Sequence, residues 1–362
     1  MAFDLTPYLP AHNSTEVPKV IPPGRHELDV EYHVQDAGGL ISGSGQGPFI
    51  KQPGQTGEGP SSSLLGSITY LKNIHGGTTL RLTGSHINIR RLAFEGGNIG
   101  IKVEKRRGWF SGKHSSFDLS FNFINTAIEA GDSDGNADHL TWSGHVEALG
   151  CNTFYRLTDN QSLNHIFQNI LMRRVDTVFD IVGGGVISAG HVTMIDAGTL
   201  FRFHDNTMVA RSNDNYIVPS LKIDKQAFNK EGDPDTPDPE KLDKFKLVQG
   251  PRKPSPNIFF GPIQFPGFVN SINTPFKMVD VEGAYGLDFF GTRNFPKQSL
   301  YFTPDPKTGV GPQFNFTTAR GLHTDPSIYV HPESKGKALF NYINCRTDNG
   351  TYITDRKTLV SL

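Results

Sequence analysis

Five segments of the chain repeat one short pattern, each placing a charge between two apolar residues. They read Asn98-Ile-Gly-Ile-Lys-Val103, Asn125-Thr-Ala-Ile-Glu-Ala130, Asn152-Thr-Phe-Tyr-Arg-Leu157, Asp176-Thr-Val-Phe-Asp-Ile181 and Gly198-Thr-Leu-Phe-Arg-Phe203. The charges are Lys102, Glu129, Arg156, Asp180 and Arg202, at spacings of 27, 27, 24 and 22 residues. A sixth copy, Asn273-Thr-Pro-Phe-Lys-Met278, puts Lys277 at the charged position. Self-similarity at a period of about 20–50 residues marks a chain of stacked repeats.

Successive side chains of a strand point to opposite faces, so the residues flanking each charge share one face and the charge takes the other. If each repeat is one coil, parallel pairing at about 4.8 Å turns the apolar flanks into a continuous core. The charges then become an outer ladder of alternating sign. A second strand precedes each copy: Ile87–Phe94, Phe117–Phe123, Leu140–Trp142, His165–Leu171 and Val186–Ile187. Such coils are shorter than the roughly 30 residues of a βαβ unit, and no stretch carries a 3.6-residue apolar period. The pattern therefore predicts an all-β solenoid.

The opening Ile21-Pro-Pro-Gly-Arg-His-Glu-Leu28, followed by Gly39-Leu-Ile-Ser-Gly-Ser-Gly-Gln-Gly47, resembles the first coils of the pectate-lyase-like superfamily of right-handed parallel β-helices. Phage tailspikes share this pattern. The resemblance covers roughly residues 17–206 and 257–300. It implies a single-stranded right-handed parallel β-helix, to which the chain's own pattern adds a long loop insertion and a C-terminal cap. It says less about activity, because this superfamily hosts lyases, hydrolases, epimerases and non-catalytic adhesins. A tailspike-like protein is expected to be a homo-oligomer, usually a trimer, associated with other virion proteins.

Composition narrows the partners. A net charge of −1 without a long basic block argues against nucleic acid, and Lys105-Arg106-Arg107 beside Trp109 is a short cluster. No apolar run reaches the length of a membrane-spanning helix, so no membrane partner is expected. The N-terminus lacks the basic and apolar regions of a secretory signal. A glycan-binding solenoid made without such a signal is expected to reach the outside on a virion. Its localisation is accordingly read as virion or extracellular. Cys151 and Cys345 are the only cysteines, too few for a disulfide framework.

Along the chain, 1–20 reads as a lead-in or cap and 21–206 as β-helix coils. The stretch 207–256 reads as an inserted loop region, because Lys230-Glu-Gly-Asp-Pro-Asp-Thr-Pro-Asp-Pro-Glu240 is too charged and proline-rich for a core strand. Further coils are expected over 257–303 and a C-terminal cap region over 304–362.

The outer ladder is the first candidate site. Glu129 and Asp180, two coils apart, would stand about 9–10 Å from each other, near the upper end of carboxylate separations in inverting glycosidases. Arg156 would lie between them to bind a sugar carboxylate or stabilise negative charge. Arg202 and His204 would extend this catalytic set as substrate contacts. The same ladder, read structurally, is a salt-bridged exterior that keeps the coils in register.

Asp132, Asp134, Asn136 and Asp138 place oxygen ligands at alternate positions, as in part of a calcium loop, although a turn of this composition needs no metal. No cofactor is required by the sequence, and Ca2+ is the one candidate cation. A histidine row, His139, His145, His165 and His191, offers sugar contacts, with His145 and His191 at equivalent outward positions around Asn169. Polar residues at a solvated sheet edge explain that row equally well. Tyr155, Phe179, Phe201 and Phe276 are expected in the core, whereas Trp109, Phe110 and Tyr216 are expected outside it as stacking platforms.

These features support three functions: a tailspike-like protein that binds and depolymerises a surface polysaccharide, a non-catalytic structural or adhesive virion component, or a free polysaccharide lyase or epimerase. The complete polygalacturonase and pectate-lyase catalytic motifs are not in the chain, so no known catalytic set transfers to it.

Overall fold

The computed structural model describes residues 2–10, 19–35, 38–45, 68–104, 111–131, 137–158, 162–204, 215–233, 236–251 and 256–362. The chain is an all-β parallel β-helix in which coils alternate between two stacked sheets. Its contacts fall into two compact units, Met1–Val175 and Asp176–Leu362.

In the first unit the repeat strands build one sheet. Tyr32–Val34, Thr78–Leu82, Ile99–Val103, Thr126–Ala130 and Thr153–Leu157 pair successively in parallel. The register sets Ile101 against Ile128 and Ile128 against Tyr155, all with no exposed surface. The longer upstream strands Ile87–Glu95, Ser115–Asn122, Thr141–Leu149 and Ser162–Arg173 form the other sheet. Between the sheets, Phe94 stacks on Phe121 with ring centroids 5.2 Å apart.

The turn that leads into each repeat strand explains its opening asparagine. Asn125 Nδ2 donates to Asn98 Oδ1, and Asn152 Nδ2 donates to Asn125 Oδ1, both at 2.8 Å. One asparagine per coil thus links three coils edge to edge. Two residues earlier the backbone enters the left-handed region at Gly96, Phe123 and Gly150. Phe123 is 52% exposed, and its ring lies over Gly150 of the next coil, where an added Cβ would come within 2.7 Å of it. Close approach and a φ of +66° both require glycine there.

The second unit repeats this construction. Thr177–Ile181, Thr199–Phe203, Lys246–Gly250, Val279–Glu282 and Leu300–Thr303 form its ladder sheet. In its other sheet Asn257–Phe260, Gly286–Phe290, Gln313–Thr317 and Lys337–Ile343 pair in parallel. Phe260, Phe289, Phe316 and Tyr342 occupy one inward register, with centroids 5.5, 5.3 and 5.5 Å apart. The abundant phenylalanine is a column of stacked rings, and Phe179 on Phe201 at 5.1 Å begins another.

The structure narrows the insertion expected over 207–256. Asn215–Val218, Ser220–Ile223 and Lys246–Gly250 are coil strands. Among the described residues of that stretch, the longest run outside the sheets is 224–245, and within it Asp238 caps the short helix Pro239–Lys244 by accepting from Glu240 N at 3.0 Å. Tyr216, expected outside the coils, is fully buried because it sits on an inward position of one of those strands. The coils also continue past 303 to Ile343. The cap is the strand Arg356–Ser361, which pairs antiparallel with Lys337–Ile343 and covers the open edge of the sheet. Both cysteines are buried and free, with Cys151 in the first unit and Cys345 in the second.

Two histidines are built into the first unit as neutral rings. His165 is fully buried, with Nδ1 accepting from the Tyr155 hydroxyl at 2.5 Å and Nε2 donating to Ala137 O at 2.6 Å. It is therefore a core residue and does not belong to an outward row. His114 Nδ1 accepts from Ile87 N at 3.2 Å. Burial lowers both from 6.5 to about 4.

Two outcomes follow. Gly150→Ala is expected to destabilise the chain by about 1–3 kcal/mol in urea unfolding, through the left-handed backbone and the clash with Phe123. Below pH 6.5 the unfolded chain binds protons that His114 and His165 refuse in the folded state. Stability is therefore complete above 6.5 and lost as pH falls towards 4, by on the order of 3 kcal/mol per histidine. Urea midpoints between pH 7.5 and 4 measure this loss, and His165→Gln should reduce the slope.

Candidate functional site

The outward positions of the ladder sheet carry the charges that the repeat places there. In the first unit His33, Arg81, Lys102, Glu129 and Arg156 stand in one register row. Lys102 Nζ lies 3.2 Å from Glu129 Oε1 and 2.7 Å from Glu104 Oε1. Arg81 reaches Glu104 at 2.8 Å and Glu31 at 2.5 Å. Each carboxylate of this network is matched by a cation from a neighbouring coil, so Glu129 serves register directly. Arg156 lies next to it in register.

Asp180, Arg202 and His204 belong to the second unit, which divides the three candidate catalytic residues between two units. Asp180 faces Arg202 in register and is 3% exposed. Its Oδ1 lies 2.6 Å from His204 Nε2, which compensates the buried carboxylate.

Beyond this pair the ladder opens into a groove of about 600 Å3, lined among others by Arg202, His204, Gln249, Asp280, Glu282 and Tyr301. The register row runs from Arg202 through Gln249 and Asp280 to Tyr301. The sixth repeat is therefore displaced by three residues: the ladder position is Asp280 on Val279–Glu282, not Lys277. Proline at 275 has no N–H to give to a ladder, so the strand begins after it. Lys277 instead stacks 3.8 Å from the centre of the Tyr301 ring and pairs with Glu333 at 3.0 Å.

Asp280 and Glu282 alternate with the buried Val279 and Val281, so both carboxylates face outward. Burial raises the Asp280 carboxyl above its usual range, against the opposing pull of Lys246, Lys277 and His331. Burial lowers the Lys246 ammonium and the His331 imidazole beside it. A carboxyl raised by burial two residues from a second acidic side chain, with an arginine and a histidine along the groove, is a set suited to proton donation and anion binding.

The other sequence candidates lie elsewhere. His145 and His191 are on the second sheets of their respective units, not on the ladder sheet. His145 faces Asn169 in register, as expected, and hydrogen bonding to Glu147 raises its pKa. His191 is exposed and faces Ser220. His139 is exposed and contacts Asn164. Trp109 and Phe110 lie outside the described residues, as do Lys105, Arg106 and Arg107. Asp132, Asp134 and Asn136 of the calcium-like turn also lie outside them, while the backbone of Asp138 pairs with Gly112. Among the described residues no group of three or more His, Cys, Asp and Glu side chains gathers to hold a metal ion. No helix among them is long and apolar enough to cross a membrane.

Sequence reasoning missed Asp280 and Glu282. Their signal was the alternation Val279-Asp-Val-Glu282, obscured by the closer match of the preceding Asn273–Met278 to the repeat. No family model, curated protein or solved structure matches this chain.

Proposed function

We propose that the protein binds an extended cell-surface polysaccharide along the ladder groove of its second unit and hydrolyses it there. The observation that carries this reading is Asp280: a carboxyl raised by burial, lining a groove that also holds Glu282, Arg202 and His204. Asp280 and Glu282 are two residues apart on one strand, about 6.5 Å along its axis. That spacing lies at the lower end of the range for inverting glycosidases, in which one carboxyl protonates the leaving oxygen and the other activates water. Asp280 takes the acid role, since burial favours its neutral form. Arg202 and Gln249 hold the saccharide in register.

The resemblance of the N-terminal coils to pectate-lyase-like and tailspike β-helices supports a glycan as ligand. On this reading the protein works outside the cell on a virion, as a trimer with other virion proteins. The reading requires no cofactor, and Ca2+ at Asp132, Asp134, Asn136 and Asp138 is an optional accessory to it. A structural or adhesive β-helix is the second reading, favoured by the cation that matches each carboxylate around Glu129.

Incubation with capsular, O-antigen and uronate polysaccharides, followed by mass spectrometry, tests the proposal. Oligosaccharides carrying one added water are expected, and Asp280→Asn should lower the rate by about 10²–10⁴-fold. The rate should fall as pH rises through the elevated Asp280 pKa, because the acid must be protonated. Unsaturated products would replace hydrolysis by elimination, and intact glycans across the panel would leave the adhesive reading.

A further inference from the structure

The last coils of the second unit carry another groove, of about 750 Å3, on the sheet opposite the ladder. Its floor is one register row: Phe259 faces Asp288, Asp288 faces Asn315, Asn315 faces Asn341, and Asn341 faces Lys357 of the closing strand. These are outward positions, because the inward ones hold the ring column of Phe260, Phe289, Phe316 and Tyr342.

The polarity of this row is fixed at one end. Asn315 turns its Nδ2 towards Asp288 and donates to the carboxyl oxygen Oδ1. The Asn315 Oδ1 then faces the other way, accepting from Asn341 Nδ2 at 2.5 Å and from Gln313 Nε2 at 2.8 Å. Asn341 has thereby committed its amide nitrogen, and its Oδ1 is left as the terminal acceptor. Asn341 is 6% exposed, and among the described residues its Oδ1 has no hydrogen-bond partner. A buried acceptor in this position calls for a donor from outside the chain.

The surroundings say what kind of donor fits. Phe259 and Phe290 form a tilted pair with ring centroids 6.3 Å apart, and Phe290 is 41% exposed. Apolar ring faces beside a row of planar amides and a carboxylate suit a molecule with a C–H face and several hydroxyls around its edge. Lys357, exposed and in register with Asn341, borders the groove at this end. An added peptide strand fits less well, since the closing strand already takes the sheet edge.

We propose that this groove is a second saccharide site, seating one sugar ring against Phe259 and Phe290 with a hydroxyl donating to Asn341 Oδ1. It lies on a different sheet from the ladder groove and stands whether or not that groove cleaves its ligand. A non-catalytic site of this kind would hold a polymer by multivalency while another part of the chain acts on it.

Saturation-transfer NMR on the full chain tests it, with methyl β-D-glucopyranoside, methyl β-D-galactopyranoside, N-acetylglucosamine and glucuronate as probes. At least one probe is expected to show ring-proton saturation. Phe290→Ala and Asn341→Leu should each weaken its binding about tenfold, equivalent to about 1.4 kcal/mol. Phe290 is surface-exposed, so its variant tests the site even if Asn341→Leu fails to fold. Silence from all four probes, or saturation that survives Phe290→Ala, overturns the proposal. Saturation lost only in Asp280→Asn belongs to the ladder groove and overturns this site alone. Concentration-dependent self-association in sedimentation, abolished by Phe290→Ala, would make the surface a protein interface and likewise overturn it.

Discussion

In-register stacking of alternating strands governs everything else in this molecule. Each repeat strand sends two apolar residues inward and one polar residue outward. Parallel pairing at about 4.8 Å multiplies that choice along the coils. Inside, the result is a column of rings such as Phe260, Phe289, Phe316 and Tyr342. Outside, it is a row of side chains set one strand spacing apart. A slip of one residue would exchange the two faces, so the core fixes the positions of the outer groups.

The turns protect this register. The asparagines at 98, 125 and 152 bond to one another across coils, and the left-handed residues that precede them set the corner. Charge pairs such as Lys102 with Glu129 act in the same direction. Exposed ion pairs contribute about 0–1 kcal/mol each, far less than burial of a phenylalanine. They select the register more than they stabilise the fold.

The two grooves use the outer rows differently. On the ladder sheet, burial leaves Asp280 with a raised pKa beside groups of both signs, a setting for chemistry. On the other sheet, Asp288 orients a chain of amides and leaves one acceptor without a partner among the described residues, a setting for recognition. The same strand alternation supports both, because outward positions carry little of the core's burden and are free to vary.

The repeat was legible because a strand's alternation is local: Lys102, Glu129, Arg156, Asp180 and Arg202 were outward by the pattern of their neighbours alone. The buried residues at Tyr155, Phe179 and Phe201 were legible for the same reason. Local pattern failed where the chain interrupts itself. Proline-rich and charged text around 230–240 hid three coil strands, and the repeat-like Asn273–Met278 drew attention away from Val279–Glu282. His165 looked like its outward neighbours in sequence yet entered the core, because Tyr155 and the Ala137 carbonyl satisfy both ring nitrogens there.

The sequence by itself determined the β-helical coil, its apolar interior and its charged exterior, since each follows from two-residue periodicity repeated at coil length. Only the tertiary structure decided which outer residues share a groove. Asp280 meets Arg202 through Gln249, and Asn341 meets Asp288 through Asn315. Those meetings depend on the length of each coil and on where interruptions such as 224–245 are placed. Pairing between coils, not the identity of any one strand, sets that register.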